Sequence, residues 1–171
     1  MLAKPNRGVV SKGSCASVIS GSIYGKENLK FKIFDSFNNP QALEICYQEI
    51  KIYLSLEFLQ GKVIPKFYGF FNLYGFLILA LEDCGIPVPE TEYPSLKMKI
   101  EKALQAIKIA GVEHHDLECR NGIYPNILVK NKKIRIIDFH ISEFNESYGL
   151  HVRKKRLVTR RTFKDKKKET L

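Results

Sequence analysis

The sequence lacks the features that mark secreted, zinc-binding or membrane-spanning proteins. Its four cysteines are widely spaced and form no C-x-x-C pair, so neither a disulfide framework nor a zinc site is expected. The N-terminus has no apolar core of the kind that a signal peptide carries. The longest apolar run, residues 67–81, is interrupted by Asn72 and falls short of the roughly 20 residues needed to span a bilayer. These absences predict an intracellular protein, cytoplasmic or nuclear, without membrane partners.

Most of the chain also has little net charge, although the whole carries +10 at neutral pH. Of 28 Lys and Arg, ten lie in residues 152–171 beside two acids, which leaves 18 basic and 16 acidic side chains elsewhere. A charge excess confined to a tail is typical of a solvated, nuclear-targeting or polyanion-binding appendage, whereas a nucleic-acid-binding fold carries a basic surface. We expect residues 151–171 to form a disordered basic tail with only weak, salt-sensitive affinity for nucleic acid.

Composition and periodicity predict one α+β unit. A hydrophobic content of 44% in 171 residues is typical of a folded domain of ordinary size. The first eighty residues indicate short strands separated by glycines, an apolar hairpin at 66–82 and a helix at 41–59. A second helix is expected at 95–110, followed by strands at 126–130 and 134–137. The apolar residues of the first helix, predicted to form one buried face, are Leu43, Cys46, Ile50, Tyr53, Leu54 and Phe58.

An ordered set of polar residues gives the strongest functional indication. Residues 114–121 match H-x-D-L-x-x-x-N, and the apolar strand at 134–137 leads directly into Asp138 and Phe139. Phosphotransferases of the protein-kinase type place a base, a metal-binding amide and a metal-binding carboxylate in this order. Upstream, Lys32 lies in a predicted strand and Glu49 in the first helix, where they could form the lysine–glutamate pair of such enzymes.

With these motifs, the chain resembles a compact member of the protein kinase-like superfamily over about residues 9–143. The stretches 59–69 and 81–85 are similar to small kinase-like proteins found in fungi. The resemblance implies ATP and Mg²⁺ as cofactors and transfer of a γ-phosphoryl group to a hydroxyl. Protein Ser/Thr is the favoured acceptor, and a small-molecule hydroxyl is the alternative.

The resemblance also implies a two-lobed α+β fold. A β-rich N-lobe would occupy residues 1–85, and a shortened C-lobe would occupy residues 86–150. Residues 83–89 are expected to form an irregular linker between the lobes. Residues 82–85 would then be the hinge that forms the back wall of the nucleotide site.

Roles carry over to individual residues. Asp116 becomes the catalytic residue that orients the attacking hydroxyl, Asp138 a metal ligand, and Lys32 the phosphate-binding lysine that the helix glutamate holds. Glu44 is the alternative for the helix glutamate, but Glu49 is preferred because its neighbours are on the core side. The residues implied to contact the nucleotide are Gly13, Val18, Lys32, Glu49, Glu82 and Cys84.

Two asparagines compete for the second metal-binding position. Asn121 has the family's spacing from Asp116, whereas Asn126 directly precedes the strand that normally follows this asparagine. Residues 122–126 therefore look inserted. Asn121 is preferred because geometry fixes its reach from the catalytic aspartate, while a hairpin tolerates an insertion.

Three further departures leave the activity open. The segment that matches the glycine-rich loop keeps only Gly13, and His140 stands where the family has a glycine, which restricts the backbone there. No A-P-E-like segment follows Asp138, so the usual peptide-docking part of the C-lobe is missing. An inactive nucleotide-binding pseudokinase or scaffold, and a small-molecule phosphotransferase, are therefore the alternative interpretations.

Overall fold

The computed structural model describes residues 4–12, 15–23 and 25–145, with the backbone alone for residues 4–12. This part of the chain forms ten strands and two α-helices, which confirms the α+β class. None of its helices is long and apolar enough to cross a membrane. Two expectations lie outside the described residues, namely the role of Gly13 and the disorder of the tail at 151–171.

Five antiparallel strands form the larger sheet, in the order β1-β2-β3-β5-β4. The hairpin between β4 and β5 turns through Tyr74 and Gly75, both with positive φ, the conformation that matches the twist of two-residue hairpins. Strand β3 is central, and its Lys32 is the register partner of Leu79 in β5. The strands are β1 (Lys4–Lys12), β2 (Ser17–Ile23), β3 (Lys26–Asp35), β4 (Phe67–Leu73) and β5 (Phe76–Glu82).

Helix α1 (Ala42–Ser55) is confirmed, but its predicted buried face is partly wrong. Cys46 and Tyr53 are fully buried, whereas Leu43, Leu54 and Phe58 are exposed. The buried arc is rotated because it includes the charged Glu49, which periodicity counts as a solvent-facing residue. The helix ends before Phe58, which lies in a separate 3-10 turn, Glu57–Leu59.

The expected irregular linker at 83–89 is wrong in its second half. Residues Ile86–Pro89 form strand β6, the edge of a three-stranded sheet ordered β6-β8-β9. This strand is difficult to predict from the sequence because it contains two prolines. Proline has no backbone N–H, so it is normally found in a sheet only at an edge. The other strands of this sheet are β8 (Ile123–Lys130) and β9 (Lys133–Ile136), joined by a tight turn at 131–132.

Helix α2 (Tyr93–Ile109) confirms the second predicted helix and packs on the smaller sheet. It ends at Gly111, whose φ of +82° gives the left-handed conformation that commonly terminates helices. Strands β7 (Val112–Glu113) and β10 (Glu143–Phe144) then pair with each other. One continuous apolar cluster, extending from Phe34 in β3 to Ile100 in α2, holds both sheets and both helices together.

Candidate functional site

A cavity of about 730 Å³ is lined by residues of both sheets, of α1 and of the loop before β8. Its apolar lining includes Val18 and Leu81 from the larger sheet and Leu128 from the smaller one. Its polar lining combines three cations with four carboxylates, so positive and negative groups face the same space. The polar side chains central to the site are Lys32, Glu49, Asp116, Arg120, Asn126, Asp138 and His140.

A buried ion triad occupies one side of this cavity. The Nζ atom of Lys32 lies 2.7 Å from Glu49 Oε2 and 2.7 Å from Asp138 Oδ1. The Glu49 side chain is fully buried, and that of Lys32 is 12% exposed. The three residues come from β3, from α1 and from the chain after β9, so the triad joins three elements distant in sequence.

The pKa values of the triad follow from burial and mutual attraction. Burial alone would lower the pKa of Lys32, but the attraction of Glu49 and Asp138 raises it above its ordinary value. Burial raises the pKa of Glu49 against the pull of Lys32. Burial opposes ionisation of Asp138 too, but there Lys32 and His140 prevail and hold the pKa well below its usual range. At neutral pH, Lys32 is therefore charged and Asp138 is ionised.

His140 reinforces the ionised state of Asp138. Its Nδ1–H donates to Asp138 Oδ1 at 2.7 Å, and this hydrogen bond raises the pKa of His140. Lys32 and His140 thus share one carboxylate oxygen, and within the described residues the hydrogen bonds of Asp138 all run through Oδ1. The residue after Asp138, Phe139, is fully buried, with its ring centroid 5.5 Å from that of Tyr53 in α1.

Hydrogen bonds between the His114 ring and main-chain atoms of other residues fix the loop that carries Asp116. The Asp116 N–H donates to His114 Nδ1 at 3.3 Å, so the imidazole proton is on Nε2, which donates to Ile137 O at 2.8 Å. Burial lowers the pKa of His114 and favours this neutral form. His114 therefore ties the loop to the residue immediately before Asp138 and leaves its ring no free acceptor.

Asp116 is buried, with 7% of the residue exposed, and both oxygens of its carboxylate accept hydrogen bonds. Asn126 Nδ2 donates to Oδ2 at 2.8 Å and also to the Asp116 carbonyl oxygen at 2.8 Å. The guanidinium of Arg120 donates to Oδ1. The sequence motifs do not include Arg120. Its position four residues after Asp116 is the sequence feature from which this contact could have been predicted.

The structure places Asn126 in the cavity and Asn121 outside it, against the sequence-based preference. Asn121 and Gly122 are the centre of a tight turn, with φ of +50° and +76°, closed by two hydrogen bonds between Arg120 and Ile123. Residues 120–123 therefore form a small hairpin with Asn121 exposed at its turn, and the rest of the apparent insertion is the first part of β8. The chain returns through Ile123 into β8, which brings the buried Asn126 beside Asp116.

Of the remaining predicted residues, three lie in the part of the chain that the structure describes. Val18 and Glu82 line the cavity, whereas Cys84 is buried and lines a second cavity of about 340 Å³, which Glu82 lines as well. Gly85 has φ of +93°, and a Cβ there would approach the Val129 carbonyl oxygen to 2.2 Å. Only glycine therefore lets this segment pack directly on β8.

Asp138 and Asn126 are the residues best placed to offer oxygen ligands to a hard cation. In the part of the chain that the structure describes, no group of three or more His, Cys, Asp or Glu is arranged to hold a metal by itself. A cation bound here would therefore take its other ligands from water or from a bound anion. This is the usual situation of Mg²⁺ at phosphate-binding sites.

Comparison with known proteins adds no relative from which a role could be transferred. No protein-family model matches the sequence, and no curated protein matches it. The geometry of the cavity and the sequence motifs that line it are therefore the evidence for a function.

Proposed function

We propose that the protein is an ATP-dependent phosphotransferase of the kinase-like type, which transfers the γ-phosphoryl group to a hydroxyl. The observation that carries the proposal is that the Lys32–Glu49–Asp138 triad and the Asp116–Asn126 pair face one cavity. Residues 106 positions apart meet there through a direct ion pair. Chance motif matches in unrelated positions would not be expected to converge in this way.

A two-lobed arrangement accounts for the position of the cavity. In this proposal the larger sheet and α1 form the N-lobe, and the smaller sheet and α2 form the C-lobe. Residues 82–85 connect the two, and Glu82 and Gly85 both line the cavity. The volume of about 730 Å³ is within the range of small-molecule and cofactor sites.

The cavity lining combines the two kinds of surface that a nucleotide needs. Val18, Leu81 and Leu128 offer an apolar slot for a base, and Lys32 offers a charged ammonium to phosphate oxygens. Glu49 and Asp138 orient that ammonium from two sides. A lysine held in this way keeps its position when a ligand arrives, and this preorganisation favours phosphate binding.

The donor set of Asp138 and Asn126 fits Mg²⁺. The low pKa of Asp138 keeps a hard, charged oxygen available, and Asn126 adds an amide group to the lining of the same cavity. When bound, Mg²⁺ neutralises negative charge on the phosphates. Asp138 is then the group whose removal should weaken metal-dependent binding most strongly.

Asp116 is the group that receives the proton of the acceptor. The acceptor oxygen forms a bond to the γ-phosphorus as the bond to the bridging β-phosphate oxygen breaks, and ADP leaves. The hydroxyl proton passes to Asp116, which Asn126 holds through two hydrogen bonds. Protein Ser/Thr remains the leading acceptor class.

Specific observations favour two alternatives. The described residues after Asp138 contain only the two-residue strand β10, which offers little platform for a peptide and favours a small-molecule acceptor. Both Asp116 oxygens are engaged within the protein, which favours a nucleotide-binding protein without turnover.

Two substitutions separate an enzyme from a binding protein. Asp138→Asn is expected to weaken Mg²⁺-dependent ATP binding and to abolish turnover, because it removes a full charge from the metal site. Asp116→Asn is expected to leave ATP binding within about threefold of wild type and to lower turnover by about 10²–10⁴-fold.

ATP binding is measured by calorimetry with and without Mg²⁺, and turnover by ADP release. Glu101→Gln, an exposed carboxylate on α2 that lines no described cavity, is the matched control. A wild type that binds ATP but shows no turnover sensitive to Asp116→Asn would establish the binding protein instead. A wild type that binds no ATP would remove the proposed function.

A further inference from the structure

The proposed function leaves a conflict at Asp116. A carboxylate that receives a proton from a hydroxyl must offer that hydroxyl an oxygen. Yet Asn126 occupies Oδ2 and Arg120 occupies Oδ1, and little of the residue is exposed to solvent. The side chains of Asn126 and Arg120 therefore block most of the approach to the Asp116 carboxylate, although each oxygen accepts only one of the two hydrogen bonds that it can take.

The two blocking groups differ in how firmly they are held. Asn126 is buried in β8 and also donates to the Asp116 main chain, so its amide is fixed to the loop itself. The Arg120 side chain is 55% exposed, and within the described residues its side-chain hydrogen bonds go to Asp116 alone. Arg120 is therefore the group that can leave without disturbing the core.

Arg120 also has a second destination within reach. It is the one arginine among the described residues that lines the large cavity, where Lys32 already engages two carboxylates. A guanidinium binds a phosphate through two parallel N–H···O hydrogen bonds, and such charge-assisted pairs are stronger than neutral hydrogen bonds. A dianionic terminal phosphate can therefore compete with a single carboxylate oxygen for this side chain.

We propose that Arg120 exchanges partners when the nucleotide binds, leaving Asp116 for the terminal phosphate and thereby uncovering the carboxylate for the acceptor hydroxyl. Arg120 is thus a positioning residue that makes the base available only when a transferable phosphate is present. With ADP, which lacks that phosphate, Arg120 stays on Asp116 and the base stays blocked. The inference rests on the proposed function and specifies how its site is regulated.

The exchange predicts a selective loss of triphosphate affinity. In Arg120→Met, the affinity for a non-hydrolysable ATP analogue with Mg²⁺ should fall about tenfold, because a charge-assisted contact is lost. The affinity for Mg²⁺-ADP should change less than twofold. Arg120→Lys keeps the positive charge but loses the two parallel N–H donors, and it should retain part of the preference for the ATP analogue over ADP. Lys97→Met, on the exposed face of α2, is the control for the loss of one positive charge.

A second measurement uses the wild-type chain and is independent of how the variants fold. The guanidinium NMR signal of Arg120, assigned by its absence from Arg120→Lys, should shift on addition of the ATP analogue and not on addition of ADP. Two outcomes would contradict the exchange in a wild type that binds both nucleotides: an affinity ratio that Arg120→Met leaves unchanged, or an NMR signal that responds equally to both. Either outcome would leave the proposed function standing. If wild type binds neither nucleotide, both proposals fail.

Discussion

The Lys32 ammonium holds together two carboxylates that would otherwise repel each other in a largely buried position. Glu49 is fully buried, and Lys32, with a smaller contribution from His140, offsets part of the cost that burial places on its charge. Removing one member of such a group leaves an uncompensated charge, which costs more than the pair contributes. We therefore expect the triad to stabilise the fold, whatever it binds.

Lys32→Met should destabilise the fold by about 3–5 kcal/mol at pH 7, because it leaves Glu49 buried without a partner. The loss should be smaller at pH 5 than at pH 7, because burial favours the protonated form of Glu49 and the Lys32 charge that opposes protonation is gone. The double variant Lys32→Met with Glu49→Gln should lose less than Lys32→Met alone. Urea unfolding of the three proteins at both pH values measures this. If the double variant loses as much free energy of unfolding as the two single variants together, Lys32 and Glu49 are not coupled.

His114 should make stability depend on pH in a defined direction. Its folded-state pKa is lowered by burial, so above its ordinary value of about 6.5 the ring is neutral in both states. As pH falls through that value, the unfolded chain binds a proton that the folded chain does not, and stability declines. His140, whose pKa is raised, acts in the opposite direction.

Comparison with His114→Gln isolates this contribution, because His140 is present in both proteins. The variant should be less stable at pH 7.5, and the gap to wild type should narrow as pH falls to 5. Urea unfolding across this range supplies the test. Parallel stability curves for the two proteins would show that His114 does not titrate differently on folding.

At the scale of the residue, sequence could predict the charged members of the site but not their local partners. Lys32, Asp116 and Asp138 stand in recognisable motifs, so their meeting in one cavity could be anticipated. Arg120 could not, because its role depends on a rotamer that the motif does not fix. Spacing from Asp116 favours Asn121, but the Asn121-Gly122 dipeptide forms a hairpin turn, which is a stronger local constraint.

At the scale of the element, helix α1 shows what periodicity can and cannot predict. Apolar residues cover much of its circumference, so the sequence predicts a helix without fixing which arc is buried. Contact with the sheet and the pairing of Glu49 with Lys32 decide the orientation. Strand β6 was missed for a related reason, since its pairing with β8 depends on a distant segment and not on local propensity.

The orientation of α1 predicts opposite outcomes for two neighbouring apolar residues. Ile52→Ala should cost about 2–5 kcal/mol because Ile52 is fully buried. Leu54→Lys should change stability by less than about 0.5 kcal/mol, since 45% of Leu54 is exposed. Urea unfolding distinguishes the two directly. A large loss in Leu54→Lys would mean that another surface covers this face of the helix.

At the scale of the molecule, one apolar cluster and a few hydrogen bonds join the two sheets. Ile136 N–H in β9 donates to Val63 O at 2.8 Å, and the Arg135 guanidinium donates to the carbonyl oxygens of Gly61 and Lys62. The loop after α1 is thereby attached to the smaller sheet. Since the apolar cluster spans both sheets and these hydrogen bonds attach the loop before β4 to the smaller sheet, we expect the described residues to unfold as one cooperative unit.

The basic tail should not contribute to that unit. Residues 152–171 carry ten basic side chains and few apolar ones, which cannot offset an ordering cost of roughly 1–2 kcal/mol per residue. Deleting them should leave the melting temperature nearly unchanged and lower the retention of the protein on a polyanionic column. Calorimetry and salt elution measure the two effects. A markedly lower melting temperature would show that the tail packs on the rest of the chain.

The ion pair between Lys32 and Asp138 has a consequence for how the protein is made. A ribosome adds roughly 5–20 residues per second, so Asp138, 106 positions after Lys32, is added roughly 5–20 s later. For most of that interval the nascent chain contains Lys32 and Glu49 but not the second carboxylate. The ion triad can therefore form only after Asp138 has been added, and a chain released before that residue lacks the triad, however well its first sheet has folded.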